Sequence, residues 1–150
     1  MIYDGVESLL FVADTGNHRI IVLNEKTLEC VDVIGKGRAG FEDGDFASAT
    51  FNQPQGMCYV RRGASHVLYV CDVKNHSVRE VNLGKRSIST IAGTGARGGD
   101  RRGGRVELRE QPLASPWDIV AVNENFMLIA MAGSHQIWAY DVEKVILVSL

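Results

Sequence analysis

The sequence predicts an all-β fold in which one strand–turn–strand unit is used three times. A turn motif runs from Asp14 to His18 and recurs from Asp72 to His76. A weaker copy ends at His135, and the three histidines recur at an almost constant spacing of just under sixty residues. A fixed period with the same content in each copy indicates a repeat architecture, because one structural unit is being stacked on itself.

Each turn motif lies between two short apolar segments. The preceding segments are residues 9–13, 67–71 and 126–130, and the following ones end at Asn24, Asn82 and Asp141. Short runs of this kind, bounded by Gly, Asn and Asp, are typical of β-strands. The preceding segment is apolar at every position, so we expect both of its faces to be covered, as in a sheet that lies between two others.

The middle copy gives the most complete set of strands. We predict strands at residues 56–60, 67–71, 77–81 and 87–92, joined by turns at 72–76 and 82–85. The third strand contains Arg79 and Glu80 between its apolar positions, so we expect it to be partly exposed. Four antiparallel strands in a repeat of this length predict one blade of a β-propeller.

The chain is therefore predicted to be a partial β-propeller of about three four-stranded blades. Blade 1 is placed at about residues 1–36, blade 2 at about 52–93 and blade 3 at about 114–150. Residues 37–51 and 94–113 are predicted to be connecting loops.

The recurring motifs resemble the signature of the NHL-repeat family, which is named for an Asn-His-Leu sequence. The matching segments are 13–20 (ADTGNHRI) and 71–78 (CDVKNHSV), together with the connector 37–44 (GRAGFEDG), 49–56 (ATFNQPQG) and 113–118 (LASPWD). The resemblance implies a propeller of six blades, so three blades would be part of a longer protein. Segments 115–118 (SPWD) and 131–138 (MAGSHQIW) resemble the family members in which a thioredoxin-like domain precedes the propeller.

The motif histidines invite a metal-site interpretation, which the repeat geometry opposes. Each ligand atom of a zinc site lies about 2.0–2.1 Å from the ion. Equivalent positions on neighbouring sheets lie ~10 Å from each other, which is too far for the histidines to share one ion. We therefore predict no metal and no cofactor. The aspartates should accept backbone N–H bonds across the turn, braced by the Asn and His side chains. These structural motif residues are Asp14, Asn17, His18, Asp72, Asn75, His76, Ser134 and His135.

A glycine- and arginine-rich loop after blade 2 is the main candidate for partner contacts. It lacks the helix start and the Lys-Ser/Thr of a phosphate-binding loop. Its arginines could meet an acidic protein surface or RNA phosphates, although it has no aromatic residue for base stacking. The alternative is that the loop is solvated and makes no partner contact. Trp117 could line the channel mouth, and the alternative for this residue is a packing role. The candidate contacts are Arg97, Arg101, Arg102, Arg105, Arg109 and Trp117.

Composition limits the class of protein. Hydrophobic residues make up 45% of the chain and charged residues 23%, which is ordinary for a globular protein. A net charge of −2 argues against a protein built as a whole for nucleic acid or anionic membrane. Cys30, Cys58 and Cys71 lack Cys-x-x-Cys spacing, so they indicate no disulfide framework or zinc site. Without a recognisable signal peptide or membrane span, the sequence predicts a cytosolic protein with no membrane contact.

The leading functional hypothesis is a non-catalytic interaction scaffold that binds another protein through its propeller loops. No catalytic constellation is recognisable in the sequence. RNA binding through the arginine-rich loop at 97–109 is one alternative, and membership of a larger thioredoxin-like, redox-associated protein is another. We also expect self-association if three blades stand alone, because blades 1 and 3 would then expose apolar faces.

Overall fold

The computed structural model describes residues 1–4, 8–99, 106–108, 110–144 and 146–149, and these form three antiparallel sheets. Sheet 1 contains β1 (Ile2–Asp4), β2 (Leu9–Asp14), β3 (Arg19–Asn24) and β4 (Cys30–Ile34). Sheet 2 contains β5 (Gly44–Asp45), β6 (Pro54–Arg62), β7 (Ser65–Asp72), β8 (Ser77–Asn82) and β9 (Ser87–Ala92). Sheet 3 contains β10 (Val106–Glu107), β11 (Pro116–Ala121), β12 (Phe126–Met131), β13 (Gln136–Asp141) and β14 (Ile146–Ser149). The predicted all-β partial propeller is confirmed.

Each sheet is one blade, and its strands follow one another from the inner to the outer edge. In blade 2 the order is β6-β7-β8-β9, with the connector strand β5 added beyond β9. In blade 3 the connector strand β10 similarly pairs with β14. The two connectors predicted as loops thus each contain a two-residue strand. This pairing occupies hydrogen-bonding groups that an outer edge strand would otherwise leave open.

Two apolar layers hold the three blades together. Blade 1 contributes residues such as Phe11 to one layer, and blade 2 contributes Leu68 and Val70. The other layer joins Tyr69 of blade 2 to residues of blade 3 that include Ile129. Residues 67–72 of β7 are all buried, as expected for a strand covered on both faces. Strand β12 instead alternates between buried and half-buried positions, because blade 3 has one described neighbour.

The innermost strands of blades 2 and 3 touch at Gly56. A Cβ atom there would lie 2.4 Å from Cα of Asp118, the residue that occupies the corresponding place in the next repeat. The obstacle is backbone rather than a flexible side-chain end, so relief requires the two strands to move apart. Gly56 is therefore required by the close approach of the blades.

Replacing Gly56 by alanine should destabilise the chain by about 1–3 kcal/mol, the usual cost of overpacking. Urea unfolding would measure the change in midpoint. Gly16→Ala is the matched control, since a Cβ at Gly16 meets no atom within 4 Å. Equal midpoints for the two variants would contradict the close approach.

No helix in the described parts of the chain is long and apolar enough to cross a membrane.

Candidate functional site

The motif histidines connect successive blades. His18 and His76 follow short 3-10 turns, Thr15–Asn17 and Val73–Asn75, and both adopt left-handed backbone conformations. The backbone N–H of Gln53, just before blade 2, donates to Nδ1 of His18 at 3.1 Å. The backbone N–H of Ser115, just before blade 3, donates to Nδ1 of His76 at 3.2 Å. Each histidine therefore holds the start of the next blade, whereas we had expected it to brace its own turn.

The motif aspartates also differ from the expected turn-capping role, since neither caps its own 3-10 turn with its side chain. Asp14 accepts bonds from Asn17 and Arg19, both at 2.8 Å, near the surface. The bond from Arg19 lowers the pKa of the Asp14 carboxyl. Asp72 is fully buried, and burial raises the pKa of its carboxyl. The same motif position is thus partly solvated in blade 1 and part of the core in blade 2.

Asp72 accepts hydrogen bonds from three directions. Its Oδ1 accepts the backbone N–H of Asn52 at 2.7 Å. Its Oδ2 accepts from Asn75 Nδ2 and from Arg79 Nη1, both at 2.8 Å. Asn75 also donates to the carbonyl oxygen of Gly40 at 2.7 Å. The motif turn of blade 2 is therefore fastened to the connector that precedes the blade.

Arg79 corrects the prediction of a partly exposed third strand, because its side chain is fully buried. Besides Asp72, it donates to the carbonyl oxygens of Thr50 and Glu42, both at 2.9 Å, and to Asp43 at 2.9 Å. The rings of Phe41 and Phe51 lie 5.3 and 5.2 Å from its guanidinium. Arg79 stays buried because the connector wraps around it and satisfies its charge.

The third turn motif keeps less of this network. Ser134 stands where Asn75 stands in blade 2, and its buried hydroxyl has no hydrogen-bond partner among the described residues. His135 is exposed and adopts the left-handed conformation that His18 and His76 share. The motif turn of blade 3 thus keeps the backbone shape without the buried ion pair.

An open groove of about 530 Å³ lies where blades 2 and 3 meet, at the end of the sheets that carries the motif turns. We call it the donor groove, and it brings together two predicted partner contacts, Arg97 and Trp117. Trp117 is 50% exposed there. The residues that line the donor groove are Gln53, Gln55, Val73, Lys74, His76, Arg97, Ser115, Trp117, Ala132 and Gly133. The predicted contacts Arg101, Arg102, Arg105 and Arg109 lie outside the described residues.

The donor groove has positive charge, and none of the described residues that line it is a carboxylate. Lys74 and Arg97 are exposed, and neither forms an ion pair with a residue in the described part of the chain. Burial lowers the pKa of His76, and the nearby Arg97 and Lys74 charges lower it further. Because His76 Nδ1 accepts the Ser115 N–H, the neutral ring carries its proton on Nε2. Lys74, Gln53 and Gln55 were not predicted as site residues, since their convergence depends on how the blades pack.

The cysteines of blade 2 lie in the core. Cys58 and Cys71 are buried, and all three cysteines of the chain are free. Burial raises the pKa of Cys58 to about 12 and that of Cys71 well above its usual value. Cys71 packs as a small buried residue. Within the described ranges no three His, Cys, Asp or Glu side chains are grouped to hold a metal ion.

The three sheets and the recurring turn define this chain as a β-propeller repeat scaffold. It is 41% identical to NHL repeat-containing protein 2 from Bos taurus over an alignment of 143 residues, and this alignment covers 91% of the chain. It is 42% identical over 141 residues, 93% of the chain, to Protein SUPPRESSOR OF QUENCHING 1, chloroplastic, from Arabidopsis thaliana. The chain belongs to the NHL-repeat proteins, which confirms the resemblance seen in the sequence. No family model matches it.

The chain covers only part of these relatives, 19% of the bovine protein and 13% of the plant protein. Among solved structures, a protein of unknown function from Bacteroides thetaiotaomicron matches 93% of the chain with a TM-score of 0.78 and 24% identity. A putative phosphatase from the same organism matches 99% of the chain with a TM-score of 0.72 and 19% identity. At these identities the structural likeness shows the fold alone.

Proposed function

We propose that this NHL-repeat scaffold is non-catalytic and binds another protein at the donor groove. The observation that carries the proposal is Trp117, which is half exposed in a groove beside Lys74 and Arg97, two cations that pair with no acid in the described part of the chain. Tryptophan and arginine are enriched among the residues that dominate the energy of protein interfaces. An exposed tryptophan at the start of an inner strand, in contrast, adds little to the core.

The walls of the groove are held in place before any partner arrives. On the blade 3 side, Ala132 N–H donates to the carbonyl oxygen of Ser115 at 3.1 Å. On the blade 2 side, Lys74 N–H donates to the carbonyl oxygen of Asn52 at 3.1 Å, and His76 holds Ser115 from across the groove. A site with fixed walls loses less entropy when it binds, which favours affinity.

The chemistry of the cysteines supports a non-catalytic role. A thiolate is the reactive form of cysteine, and the raised pKa values of Cys58 and Cys71 disfavour it at neutral pH. Any redox chemistry associated with the longer relatives would use groups other than these two thiols.

Site-specific photocrosslinking tests the proposed docking site. A photoreactive phenylalanine analogue would replace Trp117 in the protein expressed in cells, and covalent adducts would be identified by mass spectrometry. The control places the same analogue at Lys85, which is exposed in the turn between β8 and β9 at the opposite end of blade 2. We expect one defined protein adduct from position 117 and none of that mass from position 85. Identical adduct patterns at the two positions would count against the groove.

RNA binding is a second candidate, and the same cations favour it. Phosphates would be neutralised by Lys74 and Arg97, so affinity should fall steeply as salt rises. The groove offers one exposed aromatic residue, however, whereas binding of single-stranded nucleic acid usually uses several stacking platforms. A filter-binding series across salt concentration would show whether the chain retains RNA at all.

A further inference from the structure

The donor groove also indicates what kind of protein segment it receives, an inference that rests on the proposed function. The described residues of its lining supply N–H donors, and none of them is an acid. The donors are the Lys74 ammonium, the Arg97 guanidinium and the Nε2–H of neutral His76. No acceptor on a described residue engages Nε2 of His76, and the side-chain amides of Gln53 and Gln55 are equally unengaged there. Such a set is suited to ligand carboxylates, which accept but do not donate.

We propose that the donor groove binds an acidic peptide segment, with an apolar side chain of that segment resting on Trp117. Carboxylates of the segment would lie between Lys74 and Arg97, where each charge-assisted hydrogen bond is stronger than a neutral one. The amides of Gln53 and Gln55 would bond to the peptide main chain, which needs both a donor and an acceptor.

The surrounding charges favour this occupant over others. The nearest acid of the motif turn, Asp72, is buried and already bonded to Arg79 at 2.8 Å, so it does not neutralise the groove. Asp43, in the connector, is likewise engaged by Arg79 and by Thr90. Neither Asp72 nor Asp43 is therefore free to neutralise Lys74 and Arg97, and charges of this kind govern partner choice and association rate.

Fluorescence anisotropy with defined probes tests the proposal on the 150-residue chain. The probes are fluorescein-labelled Glu-Glu-Leu-Glu-Glu, the matched Gln-Gln-Leu-Gln-Gln peptide and a labelled short oligouridylate. We expect the acidic peptide to bind at low ionic strength and the glutamine peptide to bind at least about tenfold more weakly, a difference of about 1.4 kcal/mol. Binding should weaken as salt shortens the screening length from about 30 to about 8 Å.

Charge reversal in the groove identifies the site. The double variant Lys74→Glu, Arg97→Glu should lose about tenfold or more in affinity for the acidic peptide. Trp117→Ala should lose affinity for both peptides, because it removes the apolar contact. Lys85→Glu is the matched control, since it reverses an exposed charge at the other end of the blade and should bind like the original chain. Circular dichroism would establish that each variant is folded.

The remaining outcomes overturn the proposal in distinguishable ways. Equal affinity for the two peptides would overturn the acidic preference, while a crosslink at position 117 would still support protein docking. Tighter binding of oligouridylate, lost in the charge-reversal variant, would assign the groove to RNA. Absence of peptide binding together with absence of a crosslink at position 117 would overturn both this proposal and the proposed function.

Discussion

Substitution of Asp72 by alanine is expected to lower the free energy of unfolding by about 3–5 kcal/mol. The reason is that Arg79 would stay fully buried after losing its buried carboxylate partner, with only the partly exposed Asp43 left to balance its charge. The backbone N–H of Asn52 would also lose its acceptor, and the amide of Asn75 would keep only the carbonyl oxygen of Gly40. One buried backbone donor left without a partner, together with the loss of a buried ion pair, costs more than the removal of the same atoms at the surface.

The repeat supplies a matched control for this prediction. Asp14 occupies the same motif position in blade 1, but its pair with Arg19 is partly exposed. Asp14→Ala should therefore cost about 1 kcal/mol or less, as exposed ion pairs do. Urea unfolding followed by tryptophan fluorescence would measure both variants. Similar costs for Asp14→Ala and Asp72→Ala would show that burial of the pair is unimportant.

A double variant separates two effects of Asp72→Ala on stability, the burial of the Arg79 charge without Asp72 and the loss of packing. Arg79→Met fills much of the same volume without a charge, so adding it to Asp72→Ala removes the buried cation that has lost its buried partner. The double variant should be more stable than Asp72→Ala alone, because a buried pair is often replaced by apolar groups at little cost. If the two changes simply add, the buried charge is not the source of the loss.

The strands could be predicted from the sequence because each follows a local pattern. The continuous apolar segment at 67–71 predicted a doubly covered strand, and Ser65–Asp72 is such a strand. The inner strand β6 begins at Pro54 rather than at 56, because an irregularity in its pairing with β7 between Pro54 and Met57 extends it. Strands β5 and β10 escaped prediction because two residues carry no periodicity.

The buried Arg79 network and the donor groove could not be predicted, for different physical reasons. The repeat positions equivalent to Arg79 are Ile21 and Trp138. Because neither is basic, the alignment of the copies does not predict a buried cation. Apart from Asp72, its partners lie in the connector, more than 25 residues earlier in the chain, and only folding brings them together. The groove combines a turn, a loop and the start of a strand from two blades. Its existence depends on the packing of those blades.

When the 150-residue chain is expressed on its own, we expect it to self-associate through the faces of blades 1 and 3 that no other described blade covers. On blade 3, Val120 is 57% exposed and Ile137 is 46% exposed. Their neighbour Leu128 holds the position in blade 3 that Tyr69 holds in blade 2. Tyr69 is buried against blade 3, so Leu128 lies on the face that a following blade would cover. On blade 1, Leu10 and Val12 are the equivalents of Leu68 and Val70, which blade 1 buries. The open face of blade 3 in one copy can therefore pack against the open face of blade 1 in another, in the way that successive blades pack within the chain. We expect head-to-tail association.

Light scattering coupled to size exclusion would test this at tens of micromolar. We expect masses of two or more chains for the original sequence, and the mass of one chain for Val120→Lys, Ile137→Lys, because two charges would have to be desolvated in the contact. Leu28→Lys is the control, since Leu28 is 64% exposed in the turn between β3 and β4, away from the blade faces. It should associate like the original chain. A monodisperse single chain before any substitution would contradict the prediction, and equal loss of association in both variants would place the contact elsewhere.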